Sequence, residues 1–215
     1  MTGSSFLIEE DRSLVLDTSV LINLHASRCG ERILQTIPNG FIVPEIVAQE
    51  LENETSQENG EHGFLQGLIA LGLVEIVAMT DEEREVFTDL VGRAPSLDDG
   101  EASTIAIASS RRLFPIIDER KGRSRAVLLT FEEPGWTLDL FLHPLVRAGL
   151  NSAELSQAVY RALREARMRI GEPRCDQVVE LIGIERALEC RSLPAYKPRY
   201  SEWQARLMAK LPDSF

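Results

Sequence analysis

Short apolar runs separated by helical patterns organise the first two thirds of the chain. Leu14-Val15-Leu16, Phe41-Ile42-Val43 and Leu113 to Ile117 each read as a strand buried on both faces, the kind found in parallel sheets. Leu73 to Val77 alternates enough to predict an edge strand, and Val127-Leu128-Leu129 predicts a last short buried strand. Between them the spacing predicts helices through Val20, Leu21 and Leu24, over Glu31 to Ile37, and from Pro44 to about Thr55. Further helices are expected near Phe64 to Leu71, from a Thr80–Glu83 capping box through Val91, and over Ala102 to Arg112. Pro38-Asn39-Gly40 and Asn59-Gly60 mark turns. Pro115 requires its strand to lie at an edge or a start. Strands alternating with helices indicate an α/β fold around a mainly parallel sheet.

Acidic residues interrupt this pattern at particular places. Asp17 closes the first strand and Asp118 closes the Leu113–Ile117 strand, so two carboxylates fall at the edge where open α/β sheets bind ligands. Asp17 is also a natural helix N-cap. Glu50 projects between Ile46 and Val47 on the core-facing arc of its helix, while Glu45, Gln49 and Glu52 project to the opposite side. An unpaired carboxylate there is costly, so Glu50 is either ion-paired or a ligand. Glu101 lies four residues before Ile105 and shares its inward face. Asp98 and Asp99 suit the N-cap and first turn of that helix, and Asp81, Glu82 and Glu83 are accounted for by a helix dipole.

Asp17, Glu50, Glu101 and Asp118 thus form a candidate catalytic and metal-holding set from four elements. Clustered carboxylates raise one another's pKa unless a cation neutralises them, and an all-oxygen, histidine-free set suits Mg²⁺ or Mn²⁺. Such an ion activates water and neutralises charge developing on a phosphodiester. Ser19 and Asn23, one turn apart, are placed to orient a metal-bound water or a ligand carboxylate, and Glu119 and Asp99 are supporting candidates. The basic run Arg120-Lys121-Gly122-Arg123-Ser124-Arg125 is either a solvated helix face or a phosphate-contacting surface; on the second reading Arg120, Lys121, Arg123 and Arg125 bind substrate. His25, His62 and His143 have no metal-ligand spacing.

Bulk properties narrow the classes. The 215 residues carry a formal net charge of -11 with 44% hydrophobic content. That argues for a folded protein and against a general phosphate-coating nucleic-acid binder. Cys29, Cys175 and Cys190 are odd in number with no CxxC pair, so a reducing cytoplasm is expected. There is no run of about 18 apolar residues, so no membrane span is expected. Before Arg12 stands a polar lead-in with a small apolar patch at Phe6-Leu7-Ile8.

LVLDTSVLINL, VPEIVAQELE, DDGEASTIAIA and PIIDERKGRSRA resemble, in order, the motifs of PIN-domain proteins. The resemblance covers roughly Ser13 to Leu129 and reaches weakly to Ile170. It implies a three-layer α/β/α sandwich and a Mg²⁺- or Mn²⁺-dependent endoribonuclease. Asp17, Glu50, Glu101 and Asp118 would be its four acids, with Asp99 as substitute for Glu101 if the register shifts. It further implies an RNA substrate, a homodimer, and a protein inhibitor or antitoxin if the chain is the toxin of a toxin–antitoxin pair. A non-catalytic PIN-like scaffold is the alternative; an aspartate-nucleophile phosphatase is disfavoured because Ser19 stands where that chemistry wants a second acid.

The expected organisation is a nuclease domain over residues 1–150 and a helical C-terminal extension over 151–215, with helices about 151–170, 176–190 and 201–211. Asn151 and Glu154 form a capping box ahead of the stripe Leu155, Val159, Leu163, Ala166 and Ile170. Arg161, Arg164, Arg167 and Arg169 read as solvated charge along that helix. The aromatic-basic tail around Tyr196, Tyr200 and Trp203 reads as docking onto the core or a partner rather than stacking on RNA.

Overall fold

The computed structural model describes residues 12–92 and 97–209. Three-residue runs suffice for the strands because each is paired on a buried sheet. β1 (Leu14–Leu16), β2 (Phe41–Pro44), β3 (Glu75–Val77) and β4 (Phe114–Ile116) form an all-parallel sheet in the order β3-β2-β1-β4. Leu14 lies level with Phe41 and Phe114, and Val15 with Ile42 and Pro115. The chain steps outward from β1 to β3 and then returns to the other side of β1. The topological switch therefore falls between β1 and β4, where open parallel sheets take ligands at their carboxyl ends.

Alternate strand residues feed two cores. Leu14, Leu16, Phe41, Val43, Phe114 and Ile116 join the larger one. It is covered by α1 (Thr18–Ala26), α2 (Gly30–Thr36) and α5 (Glu61–Ala70), together with the C-terminal helices. Val15 and Val77 pack with Ile107 and Ala108 of α7 (Asp99–Arg111), which α6 (Asp81–Gly92) and α8 (Arg120–Thr130) flank. Helices on both faces make the three-layer α/β/α sandwich. Close packing of α7 follows from its small residues: Ala102, Ser103, Ala106 and Ala108 are fully buried.

Several boundaries differ from the sequence reading. The helix after β2 is two pieces, α3 (Glu45–Glu50) and α4 (Glu54–Asn59), because Asn53 turns its side chain to cap the backbone N–H of Ser56. Pro44 ends β2 instead of opening the helix. Val127-Leu128-Leu129 is not a strand. It is the last turn of α8, with Leu128 63% exposed. Pro115 sits on the outer strand β4, as its missing N–H requires. The lead-in around Phe6 to Ile8 and the loop at Ser96 lie outside the described residues.

After α8 come α9 (Thr137–Phe141), α10 (Pro144–Gly149) and α11 (Ser152–Glu165). The Asn151–Glu154 capping box opens α11, and Leu155, Val159 and Leu163 bury into the same core as Leu14 and Leu16. The helix stops at Glu165 rather than about 170; Ile170 is buried from an irregular segment beyond it. A 3₁₀ turn at Glu172–Arg174 then leads into α12 (Cys175–Ile182), which Gly183 at φ 88° separates from α13 (Ile184–Ala187). α14 (Tyr196–Met208) docks Trp203, 1% exposed, into the core, and residues 210–211 lie outside the description. Cys29, Cys175 and Cys190 are free thiols. Among the described residues no helix is long and apolar enough to cross a membrane.

Candidate active site

Asp17 sits at the end of β1 in the N-cap position of α1, yet its side chain makes no cap hydrogen bond. Instead the Ser19 hydroxyl donates to Asp17 Oδ2 at 2.7 Å. Ser19 and the Thr18 backbone, both in the first turn of α1, steady the charged form of this carboxylate. Burial pushes its pKa up to about 7, with the Ser19 bond opposing and the nearby Asp98 and Asp118 charges adding to the rise.

Asp118, two residues beyond β4, is 3% exposed and satisfied by neighbours. Thr137 donates its backbone N–H to Oδ1 at 2.8 Å and its hydroxyl to Oδ2 at 2.7 Å; Asn23 Nδ2 donates to Oδ2 at 2.8 Å. Burial holds its pKa at about 6 against those bonds. Asn23 therefore orients Asp118, as its position one turn after Ser19 suggested, and Thr137 is a partner that sequence reading missed. Glu50, half-buried at the end of α3, accepts from the Thr18 hydroxyl and from the Gly100 backbone N–H, the latter at 2.9 Å. It ties α1 to the start of α7. Desolvation also pushes its pKa up.

Glu101, in the first turn of α7, is 3% exposed, and its Oε1 has no hydrogen-bond partner among the described residues. Its pKa is pushed up to about 8, first by burial and then by Asp98, Asp17 and Glu119. A buried carboxylate oxygen left unpartnered carries the full desolvation cost of that group. Two glycines give these carboxylates room. A Cβ on Gly122 would stand 2.6 Å from Glu101 Oε1, and one on Gly100 would stand 2.6 Å from Glu50 Oε2. Asp98 caps α7 by accepting from the Glu101 N–H at 2.8 Å, and Asp99 is exposed beside it. Asp98 also adds negative charge to Asp17, Glu50 and Glu101, a part that its cap role conceals in the sequence.

The basic run divides. Arg120 and Lys121 are exposed, and Arg125 is half-exposed on the same helix. Arg123 turns inward. Its guanidinium stacks 3.7 Å from the Trp136 ring centroid and donates to the carbonyls of Ile117, Pro134 and Gly135. Those bonds hold the loop that carries Thr137 against β4, so Arg123 serves the architecture of the rim. Glu119 pairs with Arg169, which comes from the segment beyond α11 and also lowers the Glu101 pKa. Arg169 was read as solvated helix charge; the early end of α11 brings it here instead.

Among the described residues no group of three or more His, Cys, Asp or Glu side chains is arranged to hold a metal ion. Mg²⁺ sites commonly use only one or two carboxylates, completed by water and substrate phosphate. Asp17 and Glu101 fit that pattern: both are buried oxygen donors without an ion pair among the described residues, and Glu101 presents an orphaned oxygen.

A parallel α/β/α sandwich with buried acids at its topological switch defines a class of enzyme-like fold. Residues 13–184 match the model of a family described as DUF3368, PIN domain. The chain belongs to the PIN-domain family, whose members typically use divalent metals and are generally nucleases. The match extends past α11 through α12. No curated protein and no solved structure matched.

Proposed function

We propose that the protein is a Mg²⁺- or Mn²⁺-dependent endoribonuclease that hydrolyses phosphodiester bonds at the rim between β1 and β4. The observation that carries this reading is the buried, unpartnered Oε1 of Glu101 in the company of Asp17. Asp17 and Glu101 would hold the ion, with Glu50 and Asp118 fixing the elements around it. A divalent cation bound there supplies an activated water and neutralises charge on the phosphoryl oxygens. The chain's own residues do the positioning. Ser19 sets the Asp17 carboxylate, Asn23 and Thr137 lock Asp118, and Glu50 pins the N-terminus of α7 so that Glu101 points into the rim. Arg120, Lys121 and Arg125 on α8 offer cations to the phosphate backbone, while Arg123 supports the loop behind them.

The test is cleavage of a mixed panel of RNA and single-stranded DNA with Mn²⁺, comparing wild type with Asp17→Asn and Glu101→Gln. RNA cutting that needs the metal and is lost in both variants is the expected result. Cutting that survives in either variant, or no cutting of any panel member, counts against the proposal.

A further inference from the structure

Two cavities meet along one short stretch of chain. The first, of about 550 Å³, is lined by Asp118, Arg120 and Arg169 and opens beside the acid rim. The second, of about 1130 Å³, lies between the end of α11, the turn after α13 and the start of α14. Segment 166–171 borders both: Arg169 to Gly171 line the first and Arg167 the second. Pro194 lines the first while Leu193 and Ala195 line the second, so the same two segments of chain border both spaces. Burial alternates along the segment. Met168 and Ile170 are 1% and 5% exposed, which leaves Arg167 and Arg169 both facing out.

The second cavity is cationic in a protein of net charge -11. Arg164, Arg167, Arg191 and Lys197 line it against one acid, Glu189, which Arg164 already neutralises at 3.2 Å. Arg167, Arg191 and Lys197 make no hydrogen bond or ion pair among the described residues and are exposed. Two aromatic rings stand with them: Tyr196 and Tyr200, centroids 5.5 Å apart. Tyr196 is held in place by its hydroxyl, which donates to the Leu188 carbonyl. Unpaired cations beside fixed rings suit a chain of phosphates and bases, since cations track the backbone and every base has a stacking face. An acidic peptide would use the cations and leave the rings idle.

We propose that this cavity is a second binding site for single-stranded nucleic acid, receiving the strand that passes the acid rim by way of Arg169 and Arg167. As the route of the substrate it rests on the nuclease reading; as a binding site it is measured separately. The full-length chain with Asp17→Asn is titrated against labelled single-stranded RNAs of about 3 and about 12 nucleotides, alone and with Arg167→Asn, Arg191→Ala and Lys197→Ala added. Asn is chosen at 167 because that residue has φ 57°, which Asn tolerates. The three added changes are expected to weaken binding of the longer RNA about tenfold or more. They should also reduce its salt slope by about 2, at about 0.7 per phosphate contact on single strands. Binding of the short RNA and the melting temperature stay as they were. In the otherwise wild-type protein the same three changes spare cleavage of short substrates and impair that of long ones. Equal affinity for the longer RNA with and without the changes overturns the site. So does an oligoglutamate peptide that displaces the RNA at lower concentration than unlabelled RNA does. Loss of long-RNA binding on the three changes, together with no cleavage by the protein that keeps Asp17, would sink the nuclease reading and leave the binding site standing.

Discussion

Glu83 and Glu101 are both glutamates in the first turn of a helix, both 2–3% exposed, and on the same side of the sheet. Their surroundings are opposite. Glu83 receives Nε and Nη2 of Arg111 at 2.7 and 2.9 Å and the Thr80 N–H at 2.8 Å, so its pKa is pulled below the usual carboxylate range. Glu101 has no such partner for Oε1 and its pKa is pushed up to about 8. One buried acid is finished by the protein itself; the other, on the function proposed above, is completed by a bound ion. That contrast separates a structural carboxylate from a ligand carboxylate better than burial does.

The strongest way to break the comparison is to neutralise each acid. Asp17→Asn and Glu101→Gln are expected to lower RNA cleavage by about a thousandfold, roughly 4 kcal/mol in the barrier, while the metal-free melting temperature holds or rises. Glu83→Gln should leave cleavage intact. Next in size is the cation itself. Mn²⁺ at about a hundred times its dissociation constant should stabilise the wild-type fold by about 2.7 kcal/mol, with no shift for Asp17→Asn combined with Glu101→Gln. Calorimetry showing equal shifts in both proteins would place the ion elsewhere. Glu83→Gln should then cost about 2 kcal/mol in denaturant unfolding, because it removes charged hydrogen bonds to Arg111.

The smallest effect is in pH. Asp17 and Glu101 hold protons in the folded state that the unfolded chain releases, so their contribution is present at acid pH and is lost as pH rises through about 7 and 8. Between pH 6 and 8 the metal-free protein should lose stability through both groups, and saturating Mn²⁺ should remove that slope. Glu83 acts the other way: its contribution is present above the ordinary carboxylate value and is lost as pH falls through its lowered one. Melting curves from about pH 3 to about pH 9, with and without metal, would show two flanks of opposite origin; an alkaline flank that survives metal would contradict the assignment of the rim.

Much of the rim was legible because its acids violate local patterns. Asp17 and Asp118 end apolar runs, and Glu50 and Glu101 stand on inward helix faces. What escaped depended on partners distant in sequence. Glu83 looked like a dipole residue because Arg111 lies a whole helix away, and Arg123 looked like one more surface charge because only the folded chain lays Trp136 beneath it. Gly122 lay unnoticed inside a basic run, although a methyl group there would meet Glu101. Leu128 and Leu129 were mistaken for a strand since three apolar residues carry no period of their own. Arg169 was assigned to a helix that ends earlier than its apolar stripe does, and only that early end lets it reach Glu119.

The outer side of β4 governs how copies of this protein can meet. Pro115 has no N–H to offer there, and its carbonyl is taken by the Gly135 N–H at 3.0 Å. Ile117 donates back to the Gly135 carbonyl, also at 3.0 Å. With its donors and acceptors consumed, that border of the sheet gives no template for another strand. Chains stacking edge to edge into a continuous ribbon are therefore blocked on this side, and any self-association across it has to be built from side chains rather than from backbone.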